Sequence, residues 1–506
     1  MKQKINLENN LIARPPIVVV MGHIDHGKTT LLDYIKKTKV AEKESGGITQ
    51  HIGAYEIIFN GRKITFIDTP GHEAFSRMRE RGAKVADIAL LVVAADEGIK
   101  PQTLEALSHI QKSELPFMVV INKSDKPGAN PEKIKQDLAN QGVMVESWGG
   151  KVPSVEVSAK TGQNIDHLLE LILLVADLEE LKGNSDVGAS GFVIESHVDP
   201  KRGRIATLIV TDGILRVGDW MVIGPDTSKV RSFEDFLGRG VKEATFSAPI
   251  LIFGFSSSPV LGEQFFAFKD KKSAEEKASH FSKKETGIVR LLKEDGETAI
   301  LKIVLKADVS GSIEALEEII KKLSFKEGKA LIVRSGTGDV NIDDTNFAKS
   351  APNTIVVAFR VKVPSLVKEI LDQEGVGVVF SDIIYEIEEA IKQKLFSIIP
   401  SNIEIVPLGK IKILAIFKSE KNKMIIGGRV LSGKIKKGAV ASVFRNNREV
   451  GQGRVLGLKQ VNKDVEEVGQ GLESGILFET EIKIIPDDIL EISEEVKKER
   501  VLTPHD

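Results

Sequence analysis

The sequence predicts a multidomain protein of mixed α/β and β class, in which two α/β units are each followed by a β-barrel region. The first observation behind this prediction is an apolar strand, a glycine-rich loop and a helix start near the N-terminus, which is typical of a P-loop domain with a mostly parallel sheet. The second is that strands and amphipathic helices alternate again in the third quarter of the chain. The third is that the other two regions carry short β-rich runs separated by turn residues, as in barrels. At 506 residues the chain is too long for one hydrophobic core.

Changes of pattern along the chain predict the domain boundaries. We expect a polar N-terminal arm over 1–14, a P-loop domain over 15–182, a β-barrel over 188–270, a charged linker or helix over 271–298, a second α/β domain over 299–381, a connecting helix over 382–400 and a C-terminal β-barrel over 408–506. The predicted strands of the first domain are Ile17–Val20, Ile64–Ile67, Ile88–Val93, Phe117–Ile121 and Val155–Val157. In the second α/β domain, Gly311 and the Gly336–Gly338 loop lack a following lysine–hydroxyl pair, so we interpret them as turn glycines.

Composition excludes several classes of function. The chain has no cysteine, which excludes disulfides, thiolate zinc sites and cysteine nucleophiles. No apolar run approaches the ~18 residues of a membrane span, and the N-terminus lacks the apolar segment of a signal peptide. We therefore expect a soluble cytoplasmic protein without a membrane partner. The net charge of −2 indicates no general affinity for polyanions, so a nucleic-acid surface has to be local.

The glycine-rich loop carries the strongest functional pattern in the chain. Residues Gly22–Thr29 fit G-x-x-x-x-G-K-[ST] between a buried strand and a helix. Gly22 and Gly27 allow the backbone to turn tightly, and the N–H groups at the helix start point toward an anion. We predict that Lys28 reaches the β- and γ-phosphates of a nucleotide and that the Thr29 hydroxyl binds Mg²⁺.

A second motif lies at the carboxyl end of the next predicted strand, the edge where α/β sheets bind ligands. Asp68 opens Asp68-Thr69-Pro70-Gly71. Its carboxylate is expected to hold Mg²⁺ directly or through water, and the Gly71 N–H is expected to sense the γ-phosphate.

Two further motifs predict the base. Asn122-Lys123-Ser124-Asp125 follows one strand and Ser158-Ala159-Lys160 follows the next. The Asp125 carboxylate can accept from both the ring N–H and the amine of guanine, a donor pair that adenine lacks, while 158–160 would support the base. Four motifs in this order, each at a strand end, predict GTP binding.

Two more residues are candidates for the chemistry of hydrolysis. Thr49, in the glycine-containing stretch 46–51, is a candidate second Mg²⁺ ligand on a loop ordered by the γ-phosphate. His72 follows Gly71 directly and is a candidate for orienting the attacking water. His23, His26 and His51 remain alternatives for that role, and a zinc site built from these histidines has no usual ligand spacing.

Together these motifs resemble the bacterial translation initiation factor 2 family of GTPases. The resemblance runs from about Pro15 to the C-terminus. The segments that are most specific to the family are Gly47–Tyr55 and Ala94–Gly98, and Val304–Val309 matches it in the third domain.

The resemblance implies a GTPase domain, a β-barrel, an α/β/α sandwich, a long connecting helix and a terminal barrel. It further implies a monomer that binds GTP or GDP with Mg²⁺. Such a protein brings formylmethionyl initiator tRNA to the small ribosomal subunit, promotes joining of the large subunit and hydrolyses GTP on the ribosome. Other initiation factors are further candidate partners.

Site residues follow from the same resemblance. Thr29 and Thr49 would bind Mg²⁺, His72 would position water, and Asp25 is a candidate ligand for a monovalent cation. The implied nucleotide-binding set is Asp25, His26, Gly27, Lys28, Thr29, Thr30, Asp68, Gly71, Asn122, Lys123, Asp125, Ser158, Ala159 and Lys160.

The last domain departs from the family pattern where the tRNA end is expected to bind. Lys459, Glu473 and Gly475 match the pattern and are candidate tRNA contacts. Gly428 and Ser474 stand where cysteines are expected, and Gln460-Val461 stands where Arg-Tyr is expected. The departures leave open whether the pocket selects the formylmethionyl group.

Charge in the last domain is divided between two blocks. Residues 408–463 hold 14 Lys and Arg and two acids, whereas 464–496 hold 11 acids and one lysine. We predict that the basic block, including Lys436, Lys437 and Lys459, faces phosphates. The alternative is that the two blocks neutralise each other.

The sequence is compatible with two other functions. One is an elongation-type, GTP-switched tRNA carrier, although such carriers usually follow the GTPase domain with barrels only. The other is a divergent paralogue that uses the same scaffold in ribosome rescue or assembly.

Overall fold

The computed structural model describes residues 11–37, 52–281, 299–325, 327–399, 403–420, 422–461 and 463–497. The described residues divide into two compact units between Ile398 and Ile399. Within the described residues, none of the helices is both long and apolar enough to cross a membrane.

The first domain is a mostly parallel sheet with helices on its faces, as predicted. Its six strands run in the order β3-β4-β2-β5-β6-β7, and only β3 is antiparallel to its neighbour. The elements are β1 (Leu11–Ala13), β2 (Ile17–Gly22), α1 (Lys28–Lys36), β3 (Gly53–Phe59), β4 (Arg62–Asp68), α2 (Ser76–Val85), β5 (Ile88–Ala94), α3 (Pro101–Lys112), β6 (Phe117–Asn122), α4 (Pro131–Asn140), β7 (Ser154–Glu156), α5 (Ile165–Leu178) and β8 (Lys182–Asn184).

The burial of this sheet explains why the sequences of its central strands are continuous apolar runs. Every residue of β2 and β5 is buried, because helices cover both faces of the central strands. The carboxyl ends of β2, β4, β5 and β6 therefore meet along one edge, where the predicted motifs begin.

The predicted polar arm over 1–14 contains a strand at its end. Leu11–Ala13 form β1, which pairs antiparallel with β8. Arg14 then donates to both Asp87 carboxylate oxygens, at 2.7 and 2.5 Å. The composition of 1–14 does not indicate this strand, because its pairing partner lies about 170 residues away and a single sequence does not show such a partner.

The second domain is an antiparallel sheet that curves around one core. Eight strands run in the order β13-β12-β18-β9-β10-β17-β14-β15, and β11 pairs with β16. Met221 and Phe233, from strands near opposite ends of this order, lie in one buried cluster. The elements are β9 (Ser190–Asp199), β10 (Gly203–Asp212), β11 (Leu215–Arg216), β12 (Trp220–Ile223), β13 (Asp226–Lys229), β14 (Phe233–Asp235), β15 (Gly240–Val241), β16 (Glu243–Ala244), β17 (Pro249–Phe253), β18 (Gln264–Phe268) and α6 (Lys271–Ser279).

The predicted charged linker begins as a helix that packs on this sheet. Ala274 and Ala278 of α6 are buried against Val222 of β12. Small residues four positions apart give α6 a narrow apolar face. The high content of Lys and Glu in this segment does not reveal that face. Residues 282–298 of the predicted linker lie outside the described residues.

The third domain is a four-stranded parallel sheet in the order β20-β19-β21-β22. Helix α8 was not predicted, because its sequence is mostly polar. The elements are β19 (Ala299–Ala307), α7 (Ser310–Lys322), β20 (Gly328–Thr337), α8 (Ile342–Lys349), β21 (Thr354–Phe359), α9 (Ser365–Gln373), β22 (Gly377–Ser381) and α10 (Ile384–Ile398). The predicted connecting helix is therefore present as α10.

Gly311 and Gly336 are not turn glycines. Gly336 lies inside β20. Gly311 lies in the first turn of α7, and a Cβ there would stand 2.4 Å from the Met78 methyl and 2.6 Å from a Glu195 carboxylate oxygen. The absent side chain lets α7 contact the first and second domains at one point, which is a packing requirement that only the tertiary structure reveals.

The second unit is a closed barrel. Strands follow the order β23-β30-β25-β26-β29-β24, and β24 pairs back with β23, which closes the ring. The elements are β23 (Ile403–Glu420), β24 (Lys423–Lys436), β25 (Val440–Arg445), β26 (Arg448–Gln460), β27 (Lys463–Val465), β28 (Glu467–Gly469), β29 (Glu473–Thr480) and β30 (Ile489–Lys497). The C-terminal barrel is thus confirmed, with its first strand beginning five residues before the predicted boundary.

Candidate functional site

The glycine-rich loop connects β2 to α1 in a conformation that requires both of its glycines. Gly22 has φ +145, and a Cβ there would lie 2.3 Å from the Val92 carbonyl oxygen. Gly27 has φ +79, and a Cβ there would lie 2.5 Å from the Asn122 amide nitrogen. Between them, 24–26 form a 3₁₀ turn that leads directly into α1. The backbone therefore presents the N-terminus of α1 at the carboxyl edge of the sheet.

Lys28 supplies a buried positive charge at the start of α1. Its side-chain nitrogen donates to the carbonyl oxygens of Gly22, at 3.0 Å, and His23, at 2.7 Å. Burial lowers the pKa of Lys28 to about 8, and the nearby Asp68 carboxylate opposes that shift. Because desolvation weakens the charged form, an anion placed beside this ammonium would be favoured strongly.

Asp68 and Gly71 form the opposite side of the same cradle. Asp68 ends β4 and is buried. A Cβ on Gly71 would lie 2.5 Å from the Lys28 side-chain nitrogen and 2.8 Å from the Ile24 Cα. The backbone of 68–71 thus passes directly beside the lysine. A helix start, a buried ammonium and a carboxylate, together with the Thr29 hydroxyl, fit a nucleotide phosphate chain with Mg²⁺.

The close approach at Gly71 makes a testable prediction. Gly71→Ala is expected to weaken GTP binding by about tenfold or more, because the new methyl meets the Ile24 backbone and displaces the Lys28 ammonium. Gly53→Ala is the matched control, since a Cβ at Gly53 meets no atom within 4 Å. Equilibrium binding of a fluorescent GTP analogue measures both variants. Equal affinity in the two would mean that 68–71 does not contact the nucleotide.

Asn122 connects the phosphate side of the site to the base side. Its amide nitrogen donates to the His26 carbonyl oxygen at 2.9 Å, and its amide oxygen accepts from the Ala159 N–H at 3.0 Å. Asn122 is 1 % exposed. The side chain therefore fixes the glycine-rich loop relative to 158–160, which is a structural task that the motif alone did not specify.

Asp125 is held in place by Ser158. The Ser158 hydroxyl donates to Asp125 Oδ1 at 2.6 Å, and this bond lowers the pKa of Asp125. The carboxylate is exposed and ionised at neutral pH, so it can accept from two donors of a base. Its neighbour Lys123 pairs with Glu97 at 2.6 Å.

The structure limits what His26 can do. Its ring is buried, Nδ1 lies 3.2 Å from the Val92 carbonyl oxygen, and burial lowers its pKa to about 4. The side chain thus points into the domain, and only the backbone of His26 belongs to the loop surface. Thr49 and His51 lie outside the described residues.

His72 lies next to the cradle but its ring is covered. The residue is 4 % exposed, and its Nδ1 accepts from the Ala74 N–H at 2.8 Å. Burial lowers the pKa of His72 to about 4, so the ring is neutral. With Nδ1 accepting, the ring proton is on Nε2.

Arg79 holds the backbone around His72. No pattern in the sequence identifies it as part of the site. This fully buried side chain donates to the Pro70 carbonyl oxygen at 3.0 Å and to the His72 carbonyl oxygen. It also pairs with Glu105 at 2.6 Å. Since most arginines are exposed, nothing in the sequence distinguishes Arg79 from Arg77 two residues earlier.

Comparison with known families agrees with these features. The model of the Elongation factor Tu GTP binding domain matches 14–177, that of Elongation factor G domain 2 matches 188–268, and that of Translation-initiation factor 2 matches 274–392. Residues 14–177 are thus a GTP-binding domain of the translational type. A Translation initiation factor IF-2 from Anoxybacillus flavithermus is 42% identical over 494 residues, which cover 95% of this chain and 68% of that protein.

The chain belongs to the translation initiation factor 2 family. Two other members are similar to it: the protein of Aquifex aeolicus is 44% identical over 92% of this chain, and that of Desulforamulus reducens is 42% identical over 97%. The chain spans 59% and 51% of the length of these two relatives. The family assignment confirms the resemblance derived from the motifs.

The candidate tRNA residues lie on neighbouring strands of the barrel. Lys459 of β26 is opposite Gly475 of β29, which is opposite Gly427 of β24. Glu473 lies two residues before Gly475, on the same outward face of β29, and is opposite Arg429. Three strands therefore bring the predicted residues together in one row.

The departures from the family pattern do not all lie on that face. Ser474 is buried, and a Cβ on Gly428 would meet the Ile411 side chain at 2.9 Å, so these two positions face the barrel interior. Val461 is 93% exposed in the turn after β26.

The structure favours the alternative interpretation of the charge blocks. Lys436 pairs with Glu494 at 2.5 Å, Lys437 with Glu466 at 3.3 Å, and Lys459 approaches Asp464 at 3.8 Å. The barrel places the basic early strands beside the acidic late ones, so most of the predicted phosphate-facing lysines are neutralised. Further pairs of this kind are Lys410–Glu491, Lys412–Asp487, Lys423–Glu479, Lys434–Glu467 and Arg445–Asp488.

Proposed function

We propose that this chain is a GTPase that acts in initiation of translation. It stabilises formylmethionyl initiator tRNA on the small ribosomal subunit, promotes joining of the large subunit and hydrolyses GTP when the ribosome triggers it. The observation that carries the proposal is the cradle of Lys28, Asp68 and Gly71 in a chain that matches the family across its length. GTP-dependent ordering of such a cradle is the usual switch in this class of protein.

The residues of the site have distinct roles in this proposal. Lys28 and the N-terminus of α1 bind the β- and γ-phosphates, while Thr29, Thr49 and Asp68 hold Mg²⁺. When bound, the ion neutralises charge between the phosphates. Asp25, which is exposed at the mouth of the loop, is the candidate ligand for a monovalent cation.

The guanine side is formed by the second pair of motifs. Asp125 accepts the two donors of the base, Ser158 orients it, and Ala159 and Lys160 line the opposite side. His72 orients the water that attacks the γ-phosphate. The reaction gives GDP and phosphate, with the ribosome as activator and with both of its subunits as partners.

Selectivity for the formyl group separates initiation from the elongation-type carrier. Filter binding of formylmethionyl-tRNA and of unformylated methionyl-tRNA to the full chain measures that selectivity. We expect about tenfold tighter binding of the formylated form, because formylation removes the positive charge of the α-amine and adds a carbonyl acceptor that the unformylated form lacks. Equal affinities would remove the initiator-specific part of the proposal. The α/β domain and α10 favour initiation, because an elongation-type carrier usually has barrels only in that part of the chain.

The ion pairs of the barrel change which residues should contact phosphates. Among the described residues of the barrel, Arg448 and Arg454 are exposed and have no ion pair within 4 Å. Neutralising Arg448 and Arg454 together is expected to weaken tRNA binding. The slope of log K for tRNA binding against log salt concentration should fall in magnitude by about 1–2.

The matched control neutralises Lys436 and Lys437, which already pair with carboxylates. Binding measured at several salt concentrations should show a smaller change in slope for the control pair. A larger change for the control would show that the lysines leave their carboxylates when tRNA binds.

A further inference from the structure

One aromatic contact joins the candidate catalytic residue to a distant part of the chain. Tyr385, in the first turn of α10, lies against His72 with a distance of 4.1 Å between ring centroids and an angle of 53° between planes. Phe75 contacts the same imidazole from its edge, at 6.0 Å and 82°. The two aromatic rings cover a side chain that the sequence predicts to meet water.

The helix that carries Tyr385 fixes the direction of this contact. Ile384, Ile387, Ile391 and Leu395 of α10 are buried and form its apolar face, so they anchor the helix in the third domain. Tyr385 is 45% exposed and lies outside that stripe. It is therefore placed by the packing of the third domain and projects toward His72 of the first.

The covered imidazole is poorly arranged for catalysis. Its Nδ1 accepts from the Ala74 N–H, and its Nε2 is buried with no hydrogen-bond partner among the described residues. A buried N–H without a partner is unfavourable, so packing has to hold the ring in this position. A water molecule could reach Nε2 only after the covering ring moves.

We propose that Tyr385 is a positioning residue that holds His72 away from the attacking water, and that GTP hydrolysis requires the two rings to separate. This inference rests on the proposed function, because it concerns the same reaction. Because α10 is anchored in the third domain, movement of that domain away from the first would release His72.

Single-turnover GTP hydrolysis by the full chain without ribosomes tests the proposal. Tyr385→Ala is expected to raise the rate about tenfold, because the imidazole becomes hydrated and mobile. Tyr385→Phe retains the ring and should stay within about twofold of the parent. The double variant His72→Ala, Tyr385→Ala should hydrolyse GTP no faster than His72→Ala alone, since the effect of Tyr385 passes through His72.

The outcomes separate this inference from the proposed function. If Tyr385→Ala leaves the ribosome-free rate unchanged while the parent chain still hydrolyses GTP on the ribosome, the role of Tyr385 is wrong and the GTPase proposal stands. A rise that persists in the double variant would also overturn the role of Tyr385. A parent chain that binds GTP but does not hydrolyse it even when ribosomes are added overturns both. GTP affinity and thermal unfolding are measured for each variant, and Tyr385→Leu replaces Tyr385→Ala if the latter does not fold.

Discussion

Replacing His72 by alanine is expected to slow ribosome-stimulated GTP hydrolysis by about 10²–10⁴-fold, the usual contribution of a positioned proton-transfer or water-orienting group. GTP affinity should stay within about twofold of the parent, because Lys28 and the start of α1 hold the phosphates. Multiple-turnover phosphate release with ribosomes measures the first quantity, and nucleotide titration measures the second.

The structure explains why this substitution should act on chemistry rather than on folding. The Arg79 guanidinium holds the His72 backbone through its carbonyl oxygen, which alanine retains. His167→Ala provides the control, since His167 is an exposed imidazole on α5 of the same domain. Hydrolysis at the parental rate in His72→Ala would assign the water-orienting role to another group, with His23 as the next candidate.

Asp125→Asn is expected to change the preferred base from guanine to xanthine. The substitution exchanges an acceptor for a donor, so the guanine N–H donors lose their partner while the xanthine carbonyl gains one. We expect the affinity ratio of GTP to XTP to fall by about 10²-fold or more, because an N–H donor of guanine then faces the amide N–H₂ donor of Asn. Competition binding of the two nucleotides measures this ratio.

A second variant shows whether the position of the carboxylate matters. Ser158→Ala removes the hydroxyl that donates to Asp125, at 2.6 Å, and should weaken GTP without favouring XTP. Asp166→Asn on α5 is the control for loss of an exposed carboxylate in the same domain. If Asp125→Asn retains full guanine preference, base recognition lies elsewhere.

The nucleotide side of the molecule was predictable from sequence because its requirements are local. A tight turn at Gly22 and a carboxylate at the end of a buried strand leave patterns within a few neighbouring residues. The strands of the first domain were also predictable, because burial on both faces requires continuous apolar runs.

The sequence patterns did not predict features that depend on contacts between distant residues. Tyr385 on α10 contacts His72 about 300 residues earlier, and Gly311 is small because Met78 and Glu195 meet it there. The excess of positive charge in 408–463 does not predict a phosphate-binding surface for the same reason. A sequence lists the charges of the barrel in order, whereas the closed sheet places Lys436 beside Glu494.

The most direct test of the account is the rate at which the large ribosomal subunit joins a small-subunit complex carrying formylmethionyl initiator tRNA. Light scattering after rapid mixing measures that rate with the full chain and GTP, and with Lys28→Ala as the variant that lacks the buried ammonium. We expect the parent chain to accelerate joining about tenfold or more in a GTP-dependent manner and Lys28→Ala to give no acceleration. A parent chain that binds GTP but leaves the joining rate unchanged would contradict the account.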